Sequence, residues 1–161
     1  MRNPLTSLLA RPAVASWIIA RAQRTPYRHL GDYMGRWWLF NPYETADGQR
    51  PARGWLRRLL PSVRIHHIQR PDEDRHLHDH PWNARTVVLR GWYVEVREDG
   101  RHHLRYAGTT ARLRFGEFHR ITHVAPDGVW TLFITWRYRG AWGFLVDGHK
   151  VPWKAYLGAD E

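Results

Sequence analysis

The stretch that decides the fold is DRHLHDHPW, residues 74–82, which continues through NARTVVLRG to Gly91. On an extended strand, side chains two apart project to the same face. His76, His78 and His80 can therefore line one side of this segment. Asp79 turns away from them and reads as a structural group, with an Arg as its expected partner. Two imidazoles at this spacing can hold one metal ion once a third ligand arrives from elsewhere, and imidazole suits Fe, Zn, Ni, Cu or Mn. Two further histidines follow a turn glycine in RFGEFHRITH, residues 114–123. His119 and His123 are four apart, share a face on a strand, and either can complete the site.

Working outward, the texture from Val63 onward is one of short strands and frequent turns. Strands are expected near 63–69, 85–90, 92–97, 102–106, 111–115 and 129–138. Turn signals stand between them at Pro71-Asp72, Gly91, Asp99-Gly100, Gly108, Gly116 and Asp127-Gly128. Strands at this spacing argue for an antiparallel sandwich or barrel. The tail from Ala141 to Glu161 holds Trp142, Phe144, Trp153 and Tyr156 and is expected to wrap back over it.

Before Val63 the reading is different. Residues 5–23 form one amphipathic helix with Pro12 near its start. Leu8, Leu9, Val14, Trp17, Ile18 and Ile19 supply its apolar stripe. Such a helix can lie on a membrane surface or dock on the outside of a barrel, and docking is the preferred reading. Residues 25–62 are irregular, with a short buried strand at Trp37 to Phe40, an exposed loop at 44–54 and a helical turn from Trp55 to Leu60. The expected organisation is an N-terminal helix and basic extension over 1–62, packed on a β-barrel with its wrap over 63–161.

Composition limits the function classes. The chain has 161 residues, room for one domain with a proper core. It has no cysteine, which excludes disulfides, thiolate metal sites and Cys nucleophiles. Any metal must be held by imidazole and oxygen. No run of 18 apolar residues exists and no secretory signal is evident, so a cytoplasmic location is expected. The net charge of +10 is uneven. Residues 1–64 carry eleven Arg against Asp32, Glu44 and Asp47, while residues 65–161 carry fourteen basic and twelve acidic residues. The basic excess thus lies away from most of the histidines. It can attract nucleic acid or anionic lipid, although no nucleic-acid recognition motif is present.

These residues resemble the cupin superfamily. Its first motif has the form G-x5-H-x-H-x(3,4)-E-x6-G and its second G-x5-P-x-G-x2-H-x3-N. Here His78-x-His80 is followed by three residues, then Ala84, six more, then Gly91; the second pattern runs from Gly108 through Gly116-x2-His119. The chain departs at Ala84 for the motif Glu, Arg114 for the Pro, His123 for the Asn, and lacks the leading Gly. The runs HDHPW, LRGWY, WTLFITWR and VPWK are similar to a group of small cupin-like proteins of bacterial and phage genomes, a group that brings no established reaction. The resemblance implies a mainly β, double-stranded β-helix (jelly roll) barrel with a divalent metal, Fe, Mn, Ni or Zn, held by His78, His80 and His119. His123, His76, Glu95 or Glu117 are candidates for a further ligand. A three-His set resembles cysteine-dioxygenase-like cupins and leaves positions for water, dioxygen or substrate.

Three functions follow as expectations. One is a metal-dependent oxygenase or isomerase acting on a small anionic molecule, for which an inward Arg among Arg85, Arg90, Arg112, Arg114 and Arg137 would supply a bidentate contact. The second is a non-catalytic binding or scaffold barrel, suggested by the missing Glu. The third is an accessory protein that meets nucleic acid through its basic N-terminus. The oligomeric state is left open by the sequence, and the cupin resemblance makes a homodimer one option. Trp92, Trp130 and Trp136 read as core or cavity walls, and His66, His67, His102 and His103 as neighbours of which one per pair faces outward, none in the site.

Overall fold

The computed structural model describes residues 3–42 and 60–158. Among the described residues, three helices, α1 (Pro4–Leu9), α2 (Pro12–Ala22) and α3 (Trp153–Leu157), accompany eleven strands. The strands are β1 (Met34–Phe40), β2 (Ser62–Ile68), β3 (Leu77–His78), β4 (Trp82–Arg90), β5 (Trp92–Arg97), β6 (His102–Tyr106), β7 (Thr110–Leu113), β8 (His119–Val124), β9 (Val129–Tyr138), β10 (Gly143–Val146) and β11 (His149–Pro152). The first sheet has the order β1-β2-β9-β4-β7 and the second β11-β10-β3-β8-β5-β6, with antiparallel pairing throughout. The protein is a mainly β jelly roll with a helical N-terminus.

The first sheet is covered on both faces. Alternation along β2 sends Ile65 to one side, where it packs with Val87, Leu89 and Leu132 against Ala15, Ile18, Ile19 and Ala22 of α2. Those four helical positions recur at the spacing of a single stripe. Each fully buried Ile stabilises by roughly 1.5–3 kcal/mol. The other face of β2 presents Arg64, His66 and Ile68 to the space between the sheets. There Ile68, Val88 and Val129 meet Tyr93 and Ile121 of the second sheet.

The single helix expected over residues 5–23 is in fact two. Pro12 has no N–H to give, and its ring clashes with the carbonyl a turn earlier; it therefore opens α2 at its first position. Asn3 caps α1 by accepting from the Leu5 N–H at 2.9 Å. The expected stripe is also divided: Ile18 and Ile19 are buried, but Leu8 and Trp17 are 45% and 68% exposed.

The strands at 92–97, 102–106 and 129–138 stand as expected, and those at 63–69, 85–90 and 111–115 shift by one to three residues at their ends. Trp37 to Phe40 forms part of β1. The expected loop at 44–54 and most of the turn at 55–60 lie outside the described residues. The tail forms a hairpin, β10–β11, that extends the second sheet through β3. Its turn is Asp147-Gly148, with positive φ at both residues (49° and 78°), the conformation that favours Asp-Gly. Phe144 and Trp142 stack on Tyr156 and Trp153 of the tail with ring centroids 3.8 and 5.5 Å apart.

Candidate metal centre

The histidines meet because of strand register. His78 lies directly opposite His119 across the β3–β8 ladder. His80 follows two residues later and returns to the same side. Gly116 makes the turn before β8 with φ +83°, a conformation that glycine adopts without strain. Between the two histidines, Asp79 points away and is fully buried. One of its carboxylate oxygens accepts the Gly143 N–H at 2.8 Å and the other accepts from Lys150 Nζ at 2.5 Å. Asp79 is thus structural as expected, with a Lys rather than an Arg as partner.

One nitrogen from each of His78, His80 and His119 lies within 4.8 Å of the others. His80 Nε2 and His119 Nε2 are 2.9 Å apart. Two imidazoles bound side by side to one ion, at metal–nitrogen distances of about 2.0–2.1 Å, hold their nitrogens roughly 2.9–3.4 Å apart, so this pair already has a ligating separation. Burial pushes His78 down to about 4, helped by His119 and opposed by Asp72. Burial also holds His80 well below the usual range, with His119, His78, His66 and Arg64 adding to it. Both rings are therefore neutral near pH 7, the form that a metal requires. The donor set fits a divalent transition ion.

The remaining candidates fall elsewhere. His123 is exposed, with Nδ1 3.1 Å from Thr122 Oγ1. His76 lies beside the tail, Nδ1 3.0 Å from the Tyr156 hydroxyl. Glu117 closes the turn by accepting from the Arg114 N–H at 2.9 Å. Ala84 is buried against Leu113 and Phe133, so the place of the motif Glu is filled by core packing. Glu95, only 1% exposed, stands behind His119, with Oε2 3.4 Å from Nδ1. Its Oε1 accepts from Arg97 Nη2 and from Arg105 Nε, each at 2.9 Å. Burial alone would raise the Glu95 carboxyl, but His119 and Arg97 overcome it and hold it at about 2. A carboxylate on Nδ1 favours a proton there and leaves Nε2 free to ligate.

The three histidines open into a cavity of about 410 Å³ between the sheets. Its wall is largely apolar, including Ile68, Tyr93, Ile121, Phe133, Trp142 and Phe144. The strand arginines considered from sequence do not line it; Arg90, Arg112, Arg114 and Arg137 are exposed and Arg85 faces Thr110. Arg36 and Arg64 line it instead. Arg64 is 4% exposed and sits 4.7 Å from the Trp38 ring and 5.0 Å from that of Trp82. His66, placed outside the site by the sequence reading, also lines the cavity; it is 8% exposed and its Nε2 has no hydrogen-bond partner. Asp72 borders His78 at 3.9 Å from Nδ1, held by the Ile121 N–H at 2.7 Å and by the Tyr33 hydroxyl. Trp92 and Trp136 are 38% and 41% exposed, and Trp130 stacks on His67 at 4.2 Å outside the cavity. Trp82 and Trp142 are the tryptophans of its wall.

No protein-family model matches the sequence, and no curated protein matches it. Solved structures do. A polyketide cyclase of Streptomyces resistomycificus is 18% identical with a TM-score of 0.53, over 79% of this chain and 81% of that one. A conserved protein with a double-stranded β-helix domain from Klebsiella pneumoniae is 15% identical with a TM-score of 0.51, over 79% and 92%. A cupin-like protein of Thermotoga maritima is 18% identical with a TM-score of 0.48, over 83% and 92%. The chain spans 48% of the length of a DMSP lyase structure that it also matches. At these identities the likeness concerns the fold alone: the chain is folded as a double-stranded β-helix. Within that fold it carries a three-histidine cluster of metal-ligating geometry.

Proposed function

We propose that this protein is a cupin-fold metalloenzyme whose His78, His80 and His119 hold Fe, Mn, Ni or Zn, and that it acts on a small, largely apolar molecule bearing an anionic group. The observation that carries the reading is the convergence of three imidazoles, two of them held neutral by burial, at the wall of a cavity between the sheets. A bound ion would polarise a substrate oxygen or lower the pKa of a water. The chain's own residues do the rest. Glu95 orients the His119 ring, and the aromatic wall offers an apolar substrate surface to pack against. Arg64 and Arg36 set the end of the cavity that takes the anion, since guanidinium matches a carboxylate or phosphate in plane. An oxygenase or an isomerase is the reaction class that fits an all-nitrogen site with open positions.

Ala84 in place of the motif Glu favours a second reading, a barrel that binds a small molecule without turning it over. Metal content separates the readings first. The untagged protein is measured by ICP mass spectrometry beside His78→Ala/His80→Ala, with circular dichroism to confirm folding. Near-stoichiometric metal in the wild type alone supports the centre. No metal after reconstitution, with both proteins folded, refutes it. With metal present, a panel of aromatic and alkyl carboxylates, incubated with and without dioxygen and read by mass spectrometry, tests for turnover. Binding without conversion favours the second reading.

A further inference from the structure

Helices α1 and α2 turn one side to the first sheet and leave the other uncovered. That side carries three large apolar residues, Leu5, Leu8 and Trp17, at 62%, 45% and 68% exposure. Leu5 and Leu8 are three apart on α1 and so share a face. On α2 the buried stripe is Ala15, Ile18, Ile19 and Ala22, which places Trp17 away from the sheet with Arg21 one turn along; Arg24 follows in the turn after the helix. Arg11 is the N-cap of α2 and Arg28 lies in the stretch that follows it, and all four arginines are exposed.

The charge on this side lacks local compensation. Arg70, Arg97, Arg101, Arg105 and Arg114 each meet a carboxylate. Arg11, Arg21, Arg24 and Arg28 meet none among the described residues. No acidic residue occurs in the first 31 positions. Exposed Trp and Leu beside uncompensated Arg on a preformed helix is the chemistry of an interfacial helix: the indole and aliphatic groups enter the headgroup–acyl boundary and the guanidinium groups pair with lipid phosphate. A nucleic acid would use the arginines but gives Leu5 and Leu8 nothing to bury against.

We infer that the outer side of α1 and α2 is a docking surface for an anionic bilayer, with Trp17, Leu5 and Leu8 as its apolar anchors. The helices are already folded and held by their sheet-facing side, so docking needs no refolding, and the metal centre lies between the sheets, away from this surface. The test is flotation of the full chain with phosphatidylcholine vesicles and with 3:1 phosphatidylcholine–phosphatidylglycerol vesicles at low and high salt. Partitioning to the anionic vesicles should exceed that to the neutral ones by about tenfold or more and fall with salt, since each Arg near such a surface contributes about 1 kcal/mol, or fivefold. Leu5→Ser/Leu8→Ser/Trp17→Ala should lose about tenfold, and Arg21→Gln/Arg24→Gln about 25-fold, at about fivefold per Arg, with melting temperatures unchanged. If the triple variant does not fold, Trp17→Ala alone carries the test. No binding to the anionic vesicles overturns the inference. So does equal binding by wild type and the apolar variants, or a surface that instead mediates self-association or RNA binding and loses it in these variants.

Discussion

Replacing Glu95 with Gln removes one charge and almost no volume, which makes it the sharpest probe of the centre. Two consequences follow from the geometry. The carboxylate's Oε1 serves Arg97 and Arg105 at 2.8–2.9 Å, and the arginine side chains are only 16% and 23% exposed. The Gln carbonyl still accepts from both guanidinium groups but no longer offsets their charge, so the change should cost less than the roughly 3–5 kcal/mol of breaking a buried ion pair outright, about 2 kcal/mol of stability. The second consequence reaches the metal. The arginines have only N–H groups to offer, so the amide carbonyl of Gln must face them and its NH₂ must face His119. That orientation favours an unprotonated Nδ1 and a protonated Nε2, the tautomer that cannot ligate. Loss of such an outer partner typically weakens metal binding 10- to 100-fold, or about 1.4–2.7 kcal/mol. Competition of Zn(II) or Co(II) against a chromophoric chelator gives the affinity, and urea unfolding gives the stability. A Glu95→Gln protein that loses stability but keeps its metal affinity within twofold would refute the link through His119. Glu95→Ala should be harsher, about 3–5 kcal/mol, because it strands both arginines.

Three further outcomes are expected. Asp79→Ala should cost about 3 kcal/mol in urea unfolding, because the buried Gly143 N–H and Lys150 lose their acceptor, and it should weaken metal binding as β3 loosens; a neutral effect on both would deny its role as a clamp. In the metal-free chain, burial lowers His66, His78 and His80 in the folded state while the unfolded chain titrates near 6.5. The unfolded state then binds more protons as the pH falls, so stability that is complete above about 6.5 declines toward pH 4, by up to about 4 kcal/mol per pH unit for the three together; a melting temperature unchanged between pH 7 and 4.5 would contradict this. Ile65→Ala, at a fully buried site under α2, should cost about 2–5 kcal/mol, measured by the same unfolding assay, without altering metal affinity.

The strands at 92–97 and 129–138 were readable because turn signals, Gly91, Asp99-Gly100 and Asp127-Gly128, stand beside short runs rich in aromatic and β-branched residues. The His-x-His spacing also placed two ring-bearing positions on one face. What the sequence hid was the double coverage of the first sheet. On β2, Val63 and Ile65 look like the inward set and Arg64 and His66 like the wet one. Both faces are in fact covered, the first by α2 and the second by the cavity, so polarity no longer marks the outside. Arg64, Arg36 and His66 were missed for that reason. His119 and His123 have equal standing on an ideal strand. The irregular pairing of β5 with β8 between Val94 and Glu95 accompanies the difference between a buried His119 and an exposed His123. Glu95 was visible only as a candidate ligand, since its position behind a ring depends on cross-strand neighbours. The tail hairpin did carry a local signal, Asp147-Gly148, between two runs that are too short to stand out.

Strand β3 is two residues long, and the residues that hold it are far away in sequence. His78 is flanked by Phe144 on one side and His119 on the other, and Asp79 is pinned by Gly143 and Lys150. A ribosome that has released the chain only as far as β9 has therefore delivered all three histidines without the hairpin that fixes two of them. The centre becomes ordered late, when the tail emerges and β10 closes over β3. Until then the growing chain exposes three loosely placed imidazoles, and their ligating arrangement forms only after the tail hairpin has emerged.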